Sequence, residues 1–137
     1  MRLIEMLKIA VLYLPLLRDA FSTESAGVDT NDFDGALAIL QVGVTDVTVD
    51  FKLQESDASS SGYVDITGAA ITQIADDGDN VFVVIDVNLT PGTRKRYIRA
   101  LLVAADGTNG ANTSALLLLY KAGARPTTSG ATEVVKV

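Results

Sequence analysis

From residue 36 onward, apolar and polar residues alternate with a period of two, and this pattern constrains the fold more than any other feature. In the segment VTVDFKLQ, the apolar residues Val47, Val49, Phe51 and Leu53 alternate with polar ones, which is typical of a strand with one buried face. In the segment 81–89 the apolar residues Val81, Val83, Ile85, Val87 and Leu89 share one face, and the segment 97–104 is predicted as a further strand. Turn-forming residues interrupt the pattern roughly every 8–14 residues, whereas no convincing helical period follows the first ten residues.

The alternation predicts an all-β fold, namely an antiparallel β-sandwich of about seven or eight strands, with a closed barrel as the second possibility. A chain of 137 residues is long enough for one domain with one core. We predict an N-terminal arm or short helix or strand over residues 1–20, the sandwich over 21–126 and a C-terminal tail over 127–137. The short break at Thr45–Asp46 predicts a hairpin between the apolar segment before it and VTVDFKLQ after it.

Two strand segments, SALLLLY and VFVVI, are apolar on both faces, although only one face of each sheet in a small sandwich meets the core. The surplus indicates that another subunit or the N-terminal arm covers some strands. The alternative is that these are central strands covered by loops.

The N-terminal stretch contains an apolar run from Ile9 to Leu17. The run is much shorter than the roughly 20 residues that a membrane-spanning helix needs, and charged residues and Pro15 interrupt the pattern of a signal peptide. We therefore expect no membrane association and an arm that packs on a neighbouring subunit. The candidate interface residues in this arm are Leu12, Leu14, Leu16 and Leu17.

Charge is distributed unevenly along the chain, which has a net charge of −6. Residues 1–18 carry three basic and one acidic residue, a net charge of +2. Residues 19–93 carry fourteen acidic residues and one lysine, a net charge of −13, and residues 94–137 carry seven basic and two acidic residues, a net charge of +5. Separated charges of this kind favour protein contacts, and the acidic total disfavours nucleic-acid binding.

Four basic residues, Arg94, Lys95, Arg96 and Arg99, lie at the start of the segment 97–104. A strand that bound nucleic acid through stacking would need several exposed aromatic residues among the cations, and only Tyr97 is present. A solvated strand end is one explanation. The favoured one is a set of salt bridges to an acidic surface, either in the same subunit or in a neighbour, so we take the four residues as candidate interface residues.

The residue inventory predicts no enzyme and no cofactor. The chain has no cysteine and no histidine, which removes thiolate and imidazole chemistry altogether. The turn ADDGDN groups Asp76, Asp77 and Asp79 and is a weak candidate for calcium, although a solvated turn explains it as well. No metal site is predicted.

Four stretches together resemble a family of small structural proteins of tailed bacteriophages. They are the turn at Gly35 before an apolar strand, the segment KLQESD with its serine-rich loop, the segment DITGA and the strand KRYIR. The resemblance covers about residues 27–122, and the first 20 residues lie outside it.

The resemblance implies a non-enzymatic head decoration or cement protein on the capsid surface, assembled in the host cytoplasm. The implied partners are the major capsid protein and further copies of the chain, as a dimer or trimer. A head–tail connector, tail-tube or fibre-base subunit remains an alternative. A secreted binding domain is a weaker alternative, because the chain has no tryptophan and four tyrosines.

Overall fold

The computed structural model describes residues 2–90, 92–104, 110–121 and 131–137. A short 3₁₀ turn, Leu3–Glu5, precedes ten strands in the described parts of the chain. The strands are β1 (Leu7–Arg18), β2 (Ala20–Glu24), β3 (Val28–Asp29), β4 (Gly35–Thr45), β5 (Asp50–Ser56), β6 (Val64–Ala70), β7 (Val81–Asn88), β8 (Tyr97–Ala104), β9 (Ala111–Tyr120) and β10 (Glu133–Lys136).

The strands form two sheets, which confirms the predicted all-β sandwich. Sheet A has the strand order β1-β9-β4-β7-β10, and sheet B has the order β2-β8-β5-β6, with β3 pairing with β8. Ten strands are present instead of seven or eight, because short strands such as β3 and β10 carry little periodic signal. The sheets are antiparallel except that β10 runs parallel to β7.

The core lies between the sheets and is built from alternate residues of each long strand. In β9 the buried residues include Ala115, Leu117 and Leu119, and in β8 they include Ile98, Ala100 and Leu102. Val47, Val49, Phe51 and Leu53 are also buried, as the period-two pattern predicts. The inner faces of the two sheets therefore consist almost entirely of aliphatic side chains, which is the usual core of a sandwich.

The predicted hairpin at Thr45–Asp46 is wrong. Strand β4 lies in sheet A and β5 lies in sheet B, so the chain crosses between the sheets at this point. The crossing is stabilised locally, because the Thr45 hydroxyl lies 2.7 Å from the Val47 carbonyl oxygen and the Val47 N–H donates back to that hydroxyl at 3.2 Å. A short polar break permits either a hairpin or a crossing, and here the apolar faces of both segments meet across the core.

The two end segments of the predicted domain division both contribute strands to sheet A. Residues 7–18 form β1 at one edge, and residues 133–136 form β10 at the other. In the part of the chain that the structure describes, no helix is long and apolar enough to cross a membrane.

Candidate functional site

The outer face of sheet A, which points away from sheet B, is apolar in the middle of the three adjacent strands β1, β9 and β4. On β9 the residues Leu116 and Leu118 point outward, since Ala115, Leu117 and Leu119 between and beside them are buried. Paired residues on neighbouring strands share a face. Leu116 pairs with Val11 and Ile39, and Leu118 pairs with Ile9 and Leu37. We call these six residues on three adjacent strands the apolar face: Ile9, Val11, Leu37, Ile39, Leu116 and Leu118.

Much of the apolar face is open to solvent. Ile9 and Val11 are both 53% exposed, and Leu116 is 39% exposed even though it lies on a strand flanked on both sides. The row that contains Leu116 and Ile39 continues beyond β4 through Val84 on β7 to Val134 on β10. Val134 is 43% exposed. Single exposed aliphatic residues are common on proteins, but a contiguous set is typical of a contact surface.

Tyr120 closes one end of the apolar face. Its ring lies over Gly35 of β4, where a Cβ atom would come within 2.0 Å of the ring. The Tyr120 hydroxyl lies 2.6 Å from a carboxylate oxygen of Asp86 on β7. The glycine at position 35 is therefore required by the close approach of the ring, which fills the gap that a missing side chain leaves in the sheet surface.

The polar side chains on the outer face of sheet B pair with one another, beside the partly exposed Leu101 and Val103 of β8. Asp65 on β6 accepts hydrogen bonds from Lys52 and Gln54 on β5, both at 2.8 Å. Gln54 in turn accepts a hydrogen bond from Arg99 on β8 at 2.9 Å, and Arg99 lies 3.5 Å from Glu24 on β2. A ladder of polar contacts thus crosses all four strands, and the two outer faces of the sandwich differ sharply in character.

The structure places the four predicted basic residues in salt bridges within their own chain. Arg94 lies 3.7 Å from Glu55, Lys95 lies 3.6 Å from Asp57, and Arg96 makes two contacts with Asp29 at 2.8 and 2.9 Å. Arg99 pairs with Glu24, as described above. The sequence predicted salt bridges to an acidic surface either in the same subunit or in a neighbour. The contacts described here lie within the same subunit, and any further contact with a neighbour stays a prediction.

Contacts with basic and amide groups lower the pKa of two acidic residues, Asp29 and Asp65. Hydrogen bonds from Arg96 and from the Asn31 N–H lower the pKa of Asp29 to about 2. Hydrogen bonds from Lys52 and then Gln54 lower the pKa of Asp65. Both carboxyl groups therefore stay ionised well below neutral pH, as paired carboxylates do.

Glu55 is the most buried of the acidic residues that pair with Arg94, Lys95, Arg96 and Arg99, and it is 6% exposed. One of its oxygens accepts the Lys95 backbone N–H at 3.1 Å and lies 3.7 Å from Arg94 Nε. The Nη1 atom of Arg94 is buried and has no hydrogen-bond partner among the described residues. The stretch is therefore anchored to sheet B by a partly buried ion pair rather than held out in solvent.

The predicted interface leucines of the N-terminal stretch divide into two groups. Leu12 is 7% exposed and belongs to the core, next to the buried Tyr13. Leu14, Leu16 and Leu17 are 63%, 55% and 65% exposed. Register shifts between Val11 and Leu16 account for this division, because they break the strict alternation along β1. Whether the three exposed leucines contact a partner stays a prediction.

The acidic turn is open and holds its carboxylates apart. Asp76 and Asp77 are exposed, and an Asp79 oxygen accepts the Thr45 backbone N–H at 2.8 Å. Within the described ranges, no three acidic side chains come together as metal ligands would. The structural role of Asp79, capping the start of the β4–β5 crossing, was not evident from the sequence.

The apolar face itself was predicted only in outline. The pattern of SALLLLY indicated a surplus apolar face, and Leu116 and Leu118 lie there. Ile9, Val11, Leu37 and Ile39 were not singled out, because their sharing of this face depends on strand pairings between distant segments. The signal was present, since the segment before Thr45 is also apolar on both faces.

Neither a protein-family model nor a curated protein matches the sequence. Among solved structures, the exported protein XepA of PBSX matches with a TM-score of 0.54 and 18% identity over 91% of this chain. The chain spans 40% of the length of XepA. This likeness shows a shared fold.

A coat protein from tobacco streak virus matches more weakly. Its TM-score is 0.41, at 9% identity, over 95% of this chain and 96% of the coat protein. A TNF protein, Eiger from S. frugiperda, has a TM-score of 0.39 at 14% identity over 91% of each chain. Similarity at this level carries no argument about the present chain.

Proposed function

We propose that the protein is a non-enzymatic structural subunit of a tailed-phage particle, and that it decorates the head by binding the assembled shell of the major capsid protein. The observation that carries the proposal is the contrast between the two outer faces of the sandwich. The outer face of sheet B satisfies its polar groups internally, whereas the apolar face of sheet A leaves aliphatic side chains in solvent. A subunit with such an exposed apolar face is suited to assembly with other proteins rather than to remaining a free monomer.

The stretches that carry the sequence resemblance support the proposal. Three of them, KLQESD, DITGA and KRYIR, contribute to adjacent strands β5, β6 and β8 of sheet B. Lys52, Asp65 and Arg99, one from each, belong to the same polar ladder. The shared motif residues thus form one connected structural element. The fold shared with XepA, an exported protein of the phage PBSX, agrees with this origin.

The four tyrosines of the chain argue against a sugar-binding surface. Tyr13 is buried, Tyr63 lies beneath the Arg99 guanidinium at 4.2 Å, and Tyr120 lies over Gly35. Tyr97 lies 5.5 Å from the Arg96 guanidinium. Each ring is engaged by a neighbour, whereas a carbohydrate platform needs open aromatic faces.

Quantitative mass spectrometry of purified phage particles tests the proposed function. A decoration protein repeats the same contact around the lattice, so its copy number is expected to be comparable with that of the major capsid protein. A copy number of about a dozen or fewer would instead favour the connector, tail-tube or fibre-base alternative, whose symmetry is that of the tail axis. Absence of the protein from particles that are otherwise complete would contradict both.

A further inference from the structure

The apolar face has the arrangement that a symmetric contact with a second copy of the chain requires. Its six residues form two rows of three, with β9 in the middle and β1 and β4 on either side. A two-fold axis along β9 would place β9 against itself and β1 against β4 of the other copy. Ile9 would then meet Leu37, and Val11 would meet Ile39, while Leu116 and Leu118 would lie near the axis.

We propose that two copies of this chain pack through the apolar face, sheet A against sheet A, about such an axis. Every residue of the apolar face is aliphatic, so the face is complementary to itself, as a two-fold contact demands. Aligned sheets pack about 10 Å apart with interdigitating side chains, and the alternating rows of the apolar face suit that packing.

Charge does not block a second copy at the apolar face itself. The chain carries a net charge of −6, yet none of the six residues of the apolar face is charged. The acids and bases of sheet B pair with one another on the opposite side of the sandwich. Two copies can therefore meet through the apolar face without bringing their acidic groups together.

The sheet edges are less suited to self-association than the face. On β1, Lys8 pairs with the buried Leu119 and so lies on the inner side of the edge, where a charge opposes the addition of another strand. Register shifts and Pro15 disrupt the other half of β1, and β10 at the opposite edge has only four residues. These features disfavour strand pairing at both edges of sheet A, whereas the apolar face carries no such obstacle.

The size of the contact sets its strength. Three overlapping strands about 4.8 Å apart, over the two rows of the apolar face and the flanking rows at Ser114 and Tyr120, cover roughly 400 Å² on each copy. The total of roughly 800 Å² is below the usual range of specific interfaces, so the dimer is expected to be weak, with a dissociation constant in the high micromolar range. The inference rests on the same apolar face as the proposed function, but its test uses the purified protein, so the two can fail separately.

Sedimentation velocity of the full chain over a series of micromolar concentrations tests the dimer. Wild-type protein is expected to shift from monomer to dimer as its concentration rises. Leu116→Lys places a charge near the axis twice in each dimer, and it is expected to raise the dissociation constant at least about 100-fold. The matched control is Val64→Lys on β6, because Val64 is 49% exposed but belongs to sheet B, and it should leave the dissociation constant unchanged.

A second measurement does not depend on whether the protein still folds after the Leu116→Lys substitution. The chain has no cysteine, so Leu116→Cys introduces a single thiol. A short bis-maleimide is expected to cross-link Leu116→Cys to itself and not to cross-link Val64→Cys. The proposal is overturned by a wild-type protein that stays monomeric, by a Leu116→Lys dimer as tight as wild type, or by absent cross-linking at position 116. A monomer that still appears in many copies on phage heads would overturn the dimer while upholding the decoration function.

Discussion

Replacing Tyr13 by phenylalanine tests how the two sheets are joined at the β1 end of the sandwich. Tyr13 lies on β1 of sheet A and is 4% exposed. Its hydroxyl lies 2.5 Å from the Thr23 carbonyl oxygen on β2 and 3.0 Å from the Ala100 carbonyl oxygen on β8, both in sheet B. The hydroxyl is therefore a polar tie between the sheets within an apolar core.

The expected cost of Tyr13→Phe follows from these contacts. Loss of a buried neutral hydrogen bond lowers the free energy of unfolding by about 1–2 kcal/mol when the ring is kept. The Ala100 oxygen keeps the Ser25 N–H as a donor at 2.9 Å, which limits the loss. With the unfolding entropy typical of a chain of this length, the melting temperature should fall by about 3–7 °C. Urea unfolding at neutral pH measures the free energy directly.

The pH dependence of the same variant provides an independent check. Burial raises the pKa of Tyr13 far above its ordinary value of about 10, so the folded protein keeps the phenol protonated where the unfolded chain ionises. The stability that Tyr13 supplies is fully present below pH about 10 and is lost progressively as the pH rises towards the folded-state pKa. The difference in unfolding free energy between wild type and Tyr13→Phe should therefore shrink above pH about 10.

Tyr63→Phe is the matched control for Tyr13→Phe. The Tyr63 hydroxyl donates to the Ser59 carbonyl oxygen at 2.8 Å within one exposed loop, so its removal should cost only a few tenths of a kcal/mol. Equal costs for the two variants, or a Tyr13→Phe protein as stable as wild type at neutral pH, would refute the inter-sheet tie.

Two further predictions concern single contacts at the surface of the sandwich. Carboxyl NMR titration should give Asp29 a pKa of about 2, which should rise towards its ordinary value in Arg96→Gln, and an unchanged pKa in that variant would exclude the ion pair as its cause. Because the folded-state pKa is lowered, the stabilisation by this pair is present above the ordinary pKa and is lost as the pH falls towards 2. Gly35→Ala should lower the free energy of unfolding by about 1–3 kcal/mol, because its Cβ would meet the Tyr120 ring. Gly92→Ala, with open space around it, should be neutral in thermal unfolding, and similar effects at both sites would contradict the close-approach argument.

Local periodicity was sufficient to predict the most regular strands and their faces. The residues from Val47 to Leu53 alternate strictly, and the structure buries the predicted side, Val47, Val49, Phe51 and Leu53. Burial of alternate residues is a property of the strand itself, so it is visible in a short window of sequence. The all-β class follows directly from several such windows.

Partner choice between strands was not visible in the sequence. The β4–β5 connection was predicted as a hairpin, yet β4 pairs with β9 and β7, and β5 pairs with β8 and β6. The salt bridge between Asp29 and Arg96 joins residues 67 positions apart, and nothing local distinguishes Asp29 from the other acids. The apolar face depends on the same long-range pairings, which explains why only its β9 part was foreseen.

The order of strands in the two sheets has a consequence for how the chain folds. Between β1 and β9 the chain passes from one sheet to the other six times, and most neighbouring strands are distant in sequence. Neither sheet can form without the other, because each receives its strands alternately. Folding is therefore expected to be slow and governed by loop closure, since few native contacts form early. A truncated chain that lacks β9 would lose the strand that joins β1 to β4, so no stable sub-fragment is expected, and unfolding should occur in one cooperative step.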